Sequence, residues 1–435
     1  MEQSKKISSR MLIRLIVCLQ LGSVMFAFIN LQQPLPELST TDNILASLLF
    51  SLLYFAVLTF FAFDEKAENI SLLFVAASAA ALIVMRVGLL CKLAPDYYNF
   101  LSGWIEQMRG LSVGEAMREK IGDYNMPYLY FLLGVSRIDI DAQLLIKWFS
   151  CCFDFVTAFF VMKTVSLKTE NRLVHHLSFL LTLALPTVLL NSAYLAQCDA
   201  ILAAFCAATL YYSLKGDGIK AVIAFSLGFS LKLQAIFVLP ALIVCFIAKK
   251  FKLWHAVLFP ATFFVTLLPA IFAGRSLIDC VRIYFDQASQ YPQLTLSAPN
   301  IWQLFGEVDF EPFNTLGIML TGMAVAVLLY ICYTYRDKID SAALVELFYI
   351  SALMLPFLLP RMHERYFYVA DILSVAVFFY DRRRWYVPLI TVLSSLNAYF
   401  CFLGGNPLES AWCAVALLAV LSLTVKSFVE RIKTV

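Results

Sequence analysis

Charge is scarce in this sequence. Lysine, arginine, aspartate and glutamate make up 14% of its 435 residues, where a soluble domain carries about 25%. That shortfall excludes a chain covered by a water-facing surface. Cysteine is present but unorganised: the 11 cysteines are scattered apart from Cys151–Cys152, and no CxxC pair occurs. Most lie in apolar runs, where cysteine behaves as a small hydrophobe, so neither a zinc site nor a disulfide framework is supported. There is no Walker A loop, GxSxG elbow, HExxH helix or EF-hand loop. Nucleotide-binding machinery of the soluble kind is therefore excluded, and any activated substrate must arrive through the membrane. No internal repeat is visible, which weighs against transporters built from inverted repeats.

Hydrophobic residues make up the bulk of the chain, 61% of it. Apolar runs of about 18 to 22 residues recur from end to end, each able to cross a hydrocarbon core of about 30 Å as a helix. The expected fold is all-α: a polytopic integral membrane protein with about 12–14 transmembrane helices. The expected spans are 11–30, 43–63, 70–91, 143–164, 173–191, 198–214, 218–232, 235–248, 254–273, 314–334, 342–360, 365–381, 385–403 and 409–427. The pair at 218–248 is short for two crossings and also fits one re-entrant pair. Residues 1–435 form a single transmembrane domain with two long loops, 92–142 and 274–313. The N-terminal segment has a basic start but no small-residue cleavage site, and reads as a retained first helix.

The net charge of +3 says less than its distribution. Lys5, Lys6 and Arg10 precede the first span. Lys163, Lys168 and Arg172, then Lys215 and Lys220, then Lys249, Lys250 and Lys252 follow at later turns. Arg336 and Lys338, Arg382 to Arg384, and Lys426, Arg431 and Lys433 complete the series. Fourteen crossings put all of these on one face, which the positive-inside rule makes cytoplasmic. Both termini are then inside, and both long loops lie outside. Loops carry chemistry more often than the scaffold beneath them, so the functional face is expected to be the outer one.

Ionisable groups at membrane depth are costly, and are either paired or functional. Asp96 opens the first long loop, where it could cap a helix. Phe100, Leu101, Trp104, Ile105 and Met108 follow at helical spacing, the pattern of an interfacial helix. Tyr97, and further on Asp123 and Tyr124, are the other polar candidates of this loop. Lys147 and Asp154 share one helical face. Asp154 has Arg86 as a candidate partner, in a buried pair that fixes helix packing. Gln197 and Asp199 stand at a tight turn, where Asp199 either caps a helix or faces a polar cavity. Lys232 and Gln234 interrupt an apolar stretch, and Lys232 is either a snorkelling cation or one awaiting a phosphate. The densest cluster is Arg361, His363, Glu364 and Arg365, in a short outer turn, with Asp371 deeper in the next helix. Of four histidines, His175, His176 and His255 map to the cytoplasmic side and His363 alone to the outer one.

The segments PDYYNFLSGW, GDYNMPYLY, AYLAQCD, GFSLKLQAIFVLP and PRMHERYFY, in that order between about residues 90 and 380, resemble bacterial GT-C glycosyltransferases. They are most similar to membrane proteins related to the second mannosyltransferase of GPI-anchor synthesis. The resemblance implies transfer of a single hexose, mannose or another, from a polyprenyl-phosphate donor to a hydroxyl of a cell-surface glycan or glycolipid. It implies inversion and chemistry at the extracytoplasmic face of the cell membrane, with Asp96 as base. Arg365, Lys232, His363 and Arg361 would hold the donor phosphate. Gln197, Asp199, Gln234, Glu364, Tyr97, Asp123 and Tyr124 would orient substrate. No second acid adjoins Asp96, as it does in the DxD motif of some GT-C enzymes, so no metal or other cofactor is expected, and no nucleic-acid partner. The alternatives are a polymerase of lipid-linked polysaccharide and a flippase or transporter.

Overall fold

A chain this apolar must satisfy its backbone hydrogen bonds internally, and helices do so segment by segment. The computed structural model describes residues 9–64, 67–306, 308–405 and 407–434. Lys5 and Lys6 of the basic series lie outside them. The described chain is almost wholly helical. Nine described helices are long and apolar enough to cross a membrane, ten if one bent pair counts as a span.

Every one of the fourteen expected spans contains helix, but four are too short by that measure. These are Asp199–Leu214, Gly218–Leu231, Leu233–Ile247 and Tyr368–Tyr380. A helix of 13 residues reaches only about 20 Å. The sequence estimate of 12–14 spans counted apolar content, whereas helix length separates interior segments from full-length ones. The bent pair is Arg172–Ala184 with Pro186–Tyr194, turned by 53°. Pro186 lacks the N–H that would continue the first helix, and starts the next at a position where that loss is harmless. The chain then runs through a π-helical turn, Leu190–Tyr194.

The short helices are central. Asp199–Leu214 and Tyr368–Tyr380 are buried along nearly their whole length, as is Ser341–Leu358. Phe310–Thr334 and Leu253–Phe272 bury only about a fifth of their apolar windows, which marks the outward-facing layer. Arg86 donates twice to Asp154 Oδ2, at 3.1 and 3.0 Å, and both side chains are fully buried. Ser192 donates to the same oxygen. This network ties together the helices Asn69–Leu89 and Ala142–Ser166 and the π-helical turn. Lys147 does not join it. Its Nζ donates to the carbonyls of Leu89, Leu90 and Lys92, where the end of a helix leaves acceptors unsatisfied.

The two ends of the bundle differ in charge. At one end Arg172 pairs with Asp64 at 3.3 Å, while Arg384 and Arg431 both reach Glu346, at 3.0 and 3.1 Å. Tyr380 donates to the Thr164 carbonyl, which brings the ends of two more helices to that side. The described basic clusters of the sequence gather there. The other end carries the two long loops. In the first, Ser102–Arg109, Val113–Arg118 and Met126–Ser136 are short helices. In the second, Leu277–Ser289 is a 13-residue amphipathic helix. Thr295–Leu296 pairs in parallel with Met362–His363. This two-residue ladder, absent from an all-α expectation, fastens the second loop to the 361–365 turn.

Candidate functional site

The first-loop helix supports one wall of a cavity. Leu101, Ile105 and Met108 point inward and are buried, which turns the helix so that Asp96 and Trp104 line a cavity of about 650 Å³. Asp96 is not used as a cap: it precedes the π-helical turn Tyr97–Leu101 and makes no side-chain capping bond. It instead accepts a 2.7 Å hydrogen bond from Gln197 Nε2 and lies 3.3 Å from an Arg365 nitrogen. Its side chain retains 19% exposure, so the carboxylate is held yet reachable.

Arg365 is the hub. Its Nη1 donates to Glu364 at 2.6 Å, and its Nε lies 3.9 Å from Asp199. Nε makes no hydrogen bond although it is buried. Lys232 ends the Gly218–Leu231 helix in an extended conformation and pairs with Asp199 at 2.5 Å. Asp199 also accepts from Asn191, which in turn donates to the Tyr399 hydroxyl. Asp199 therefore anchors cations and does not cap its helix by a side-chain bond. Gln197 and Asp199 stand behind the cavity wall, while Lys232, Gln234, Arg365, His363 and Glu364 form it. The Gln234 and Gln197 amide oxygens are buried without partners.

The environment sets the protonation states of the turn. Burial disfavours the Glu364 carboxylate, but Arg365 beside it outweighs that and holds its pKa down at about 2. Burial pushes the His363 imidazole below its ordinary value. His363 lies 3.7 Å from Glu364 and meets the rings of Tyr291 and Tyr366. Burial also raises the Tyr124 hydroxyl far out of the titrating range.

Arg361 lines the cavity, but its side chain is engaged. Nε donates to Asn314 and Nη1 to the Ala288 carbonyl, and the guanidinium lies 5.0 Å above the Phe310 ring. Its backbone sits at φ +64°, a conformation costly for a side chain with Cβ. Here a hydrogen bond from its N–H to Leu294 holds it. Tyr97 is not among the lining residues; it packs in the apolar cluster under the first loop. Burial and the nearby Asp141 raise its hydroxyl to about 12. Asp123 and Tyr124 do line the cavity. Asp371 does not; it accepts from Ser395 inside the bundle.

Sequence reading left out Gln287, Gln290, Tyr291 and Gln293 of the second loop, all of which line the cavity. Their signal was a run of amides spaced by three, in a loop recognised only by its length. It also left out Asn191 and Tyr399, buried polar groups with nothing in their local sequence to distinguish them. Among the described residues no three of His, Cys, Asp or Glu are placed to hold a metal ion.

No protein-family profile matches this chain. No curated protein matches it. What the fold defines is a class: an all-α protein with many apolar helices of membrane-crossing length, carrying one large charged cavity at the end of the bundle opposite its basic clusters.

Proposed function

We propose that this protein is a membrane glycosyltransferase of GT-C type that moves one hexose from a polyprenyl-phosphate donor to a hydroxyl acceptor. The observation that carries the reading is the meeting of Asp96 with Arg365 and Lys232 around one cavity, from three distant stretches of chain. In the proposed orientation the basic end is cytoplasmic, both termini are inside, and the cavity faces the extracytoplasmic side of the cell membrane.

The acceptor oxygen attacks the anomeric carbon of the donor while its proton passes to Asp96. The bond between that carbon and the phosphate oxygen breaks, and the electron pair leaves with polyprenyl phosphate. A single displacement inverts the sugar centre. The leaving phosphate gains one negative charge, and Lys232 and Arg365, both on the cavity wall, are the cations that stabilise it. His363, kept neutral by burial, serves as a hydrogen-bonding partner and not as a cation. Arg361 acts more naturally as the latch of the second loop, given its three contacts.

The charge count favours a monophosphate donor. Asp96, Asp123 and Glu364 balance Lys232, Arg361 and Arg365 on the cavity wall. A phosphodiester adds one negative charge to this balanced wall, whereas the diphosphate-linked repeats used by a polymerase add two.

Donor use tests the proposal. Purified protein in proteoliposomes should transfer hexose from a polyprenyl-phosphate monosaccharide to a membrane-extract acceptor. Activity confined to diphosphate-linked oligosaccharides would reject it.

A further inference from the structure

The wall of the cavity is divided electrically. Its cations Lys232, Arg361 and Arg365 all come from the Lys232–Gln234 segment and the 361–366 turn. The half formed by residues 95–124 and 287–297 includes no lysine or arginine among its described lining residues, and its charged groups are Asp96 and Asp123. The rest of that half is amide, hydroxyl and aromatic.

Its amides are oriented. Gln287 Nε2 donates to the Asp123 carbonyl, and to Asn125 Oδ1 at 3.1 Å. Gln290 Nε2 donates to the Asp123 carboxylate at 2.9 Å. These bonds use both amino hydrogens of Gln287 and one of Gln290, and leave the carbonyl oxygen of each side chain as an acceptor for hydroxyl donors. Trp104 and Tyr124 meet edge to face at 5.7 Å, and Tyr291 packs on His363 at 5.0 Å. Rings beside fixed acceptors suit a pyranose, which has a C–H face and a rim of hydroxyls. An anionic group placed there would face Asp96 and Asp123, while the cations that reach this side are already engaged, Arg361 by Asn314 and the Ala288 carbonyl and Arg365 by Asp96 and Glu364.

We infer, resting on the glycosyltransferase reading, that this half is the acceptor subsite. Its occupant is an uncharged carbohydrate, and Gln287, Gln290, Trp104 and Tyr291 set that preference. The donor phosphate occupies the cationic half, and Asp96 lies at the boundary, where the acceptor hydroxyl meets the anomeric carbon.

The test uses the full chain in nanodiscs on an array of neutral and uronate-bearing oligosaccharides, with binding of a polyprenyl-phosphate hexose measured separately. The unaltered protein should retain neutral glycans and few uronates. Gln290→Lys, at an exposed helix end, should raise uronate capture by about tenfold. Gln290→Glu should not, and donor binding should persist in both. Retention of mainly acidic glycans, of none, or of the same set by Gln290→Lys overturns the inference while donor binding persists. A protein that binds no polyprenyl-phosphate hexose loses the glycosyltransferase reading itself.

Discussion

Asp96→Asn separates chemistry from scaffold. The amide keeps the outline of the carboxylate, so Gln197 Nε2, now 2.7 Å from Asp96, can still donate to an oxygen. Arg365 loses one of its charged neighbours but keeps Glu364 at 2.6 Å. Asp199 also stays near the guanidinium, so its buried charge is not left without a partner. The variant should therefore insert, fold and melt within a few degrees of the unaltered protein. The amide cannot take the acceptor proton. A positioned general base contributes about 10²- to 10⁴-fold, equal to about 3–5 kcal/mol of barrier, and turnover should fall by that factor. The donor Kd should change little, because Lys232 and Arg365 remain. The assay is hexose transfer in proteoliposomes, with melting in detergent as the control for folding. Turnover within threefold of the unaltered protein, with normal melting, would refute the role of Asp96 as base.

Further outcomes follow from the packing. Asp154→Ala strands the fully buried Arg86 guanidinium and should cost about 3–5 kcal/mol in detergent unfolding, whereas Arg86→Met with Asp154→Leu should recover most of it; equal losses for both would show that the pair itself is not the source. Gly122 sits at φ +69°, and a Cβ there would lie 2.7 Å from the Trp104 ring. Gly122→Ala should displace Trp104, quench or shift its emission, and raise the acceptor KM more than it lowers stability; an unchanged spectrum would contradict this. Glu364 is held at about 2, against an ordinary value of 4.5. Its folded pKa is depressed, so its contribution is complete above about pH 4.5 and is lost as pH falls toward 2, amounting to about 3 kcal/mol. Unfolding followed between pH 5 and 3 should be less acid-sensitive in Glu364→Gln than in the unaltered protein, and parallel curves would remove Glu364 as the source.

Much of the site was visible as residue types before it was visible as a place. Asp96, Lys232 and the 361–365 turn stood out because charge in an apolar chain is expensive and must be paired or used. The pairing itself was legible for Arg86 with Asp154, since both lie in long helices whose faces can be counted. It was not legible for Asp199, whose cationic partners Lys232 and Arg365 come from other parts of the chain. Arg361 and Arg365 look alike in PRMHERYFY. One latches the second loop and the other faces Asp96, a difference set by a positive φ and a two-residue strand pairing that no local pattern signals.

By itself, the sequence determined that this is a helical membrane chain and that its basic residues recur at alternate connections, because hydropathy and charge act locally and along the chain. It also showed which charged groups needed an explanation. Only the tertiary structure decided which apolar segments are long crossings and which are short interior helices, since both are equally hydrophobic and differ in length and in what surrounds them. It alone divided the cavity into a cationic half and an amide and aromatic half. That division depends on loops 164 and 167 residues apart at these contacts closing over the same space, through hydrogen bonds from Gln287 and Gln290 to Asp123.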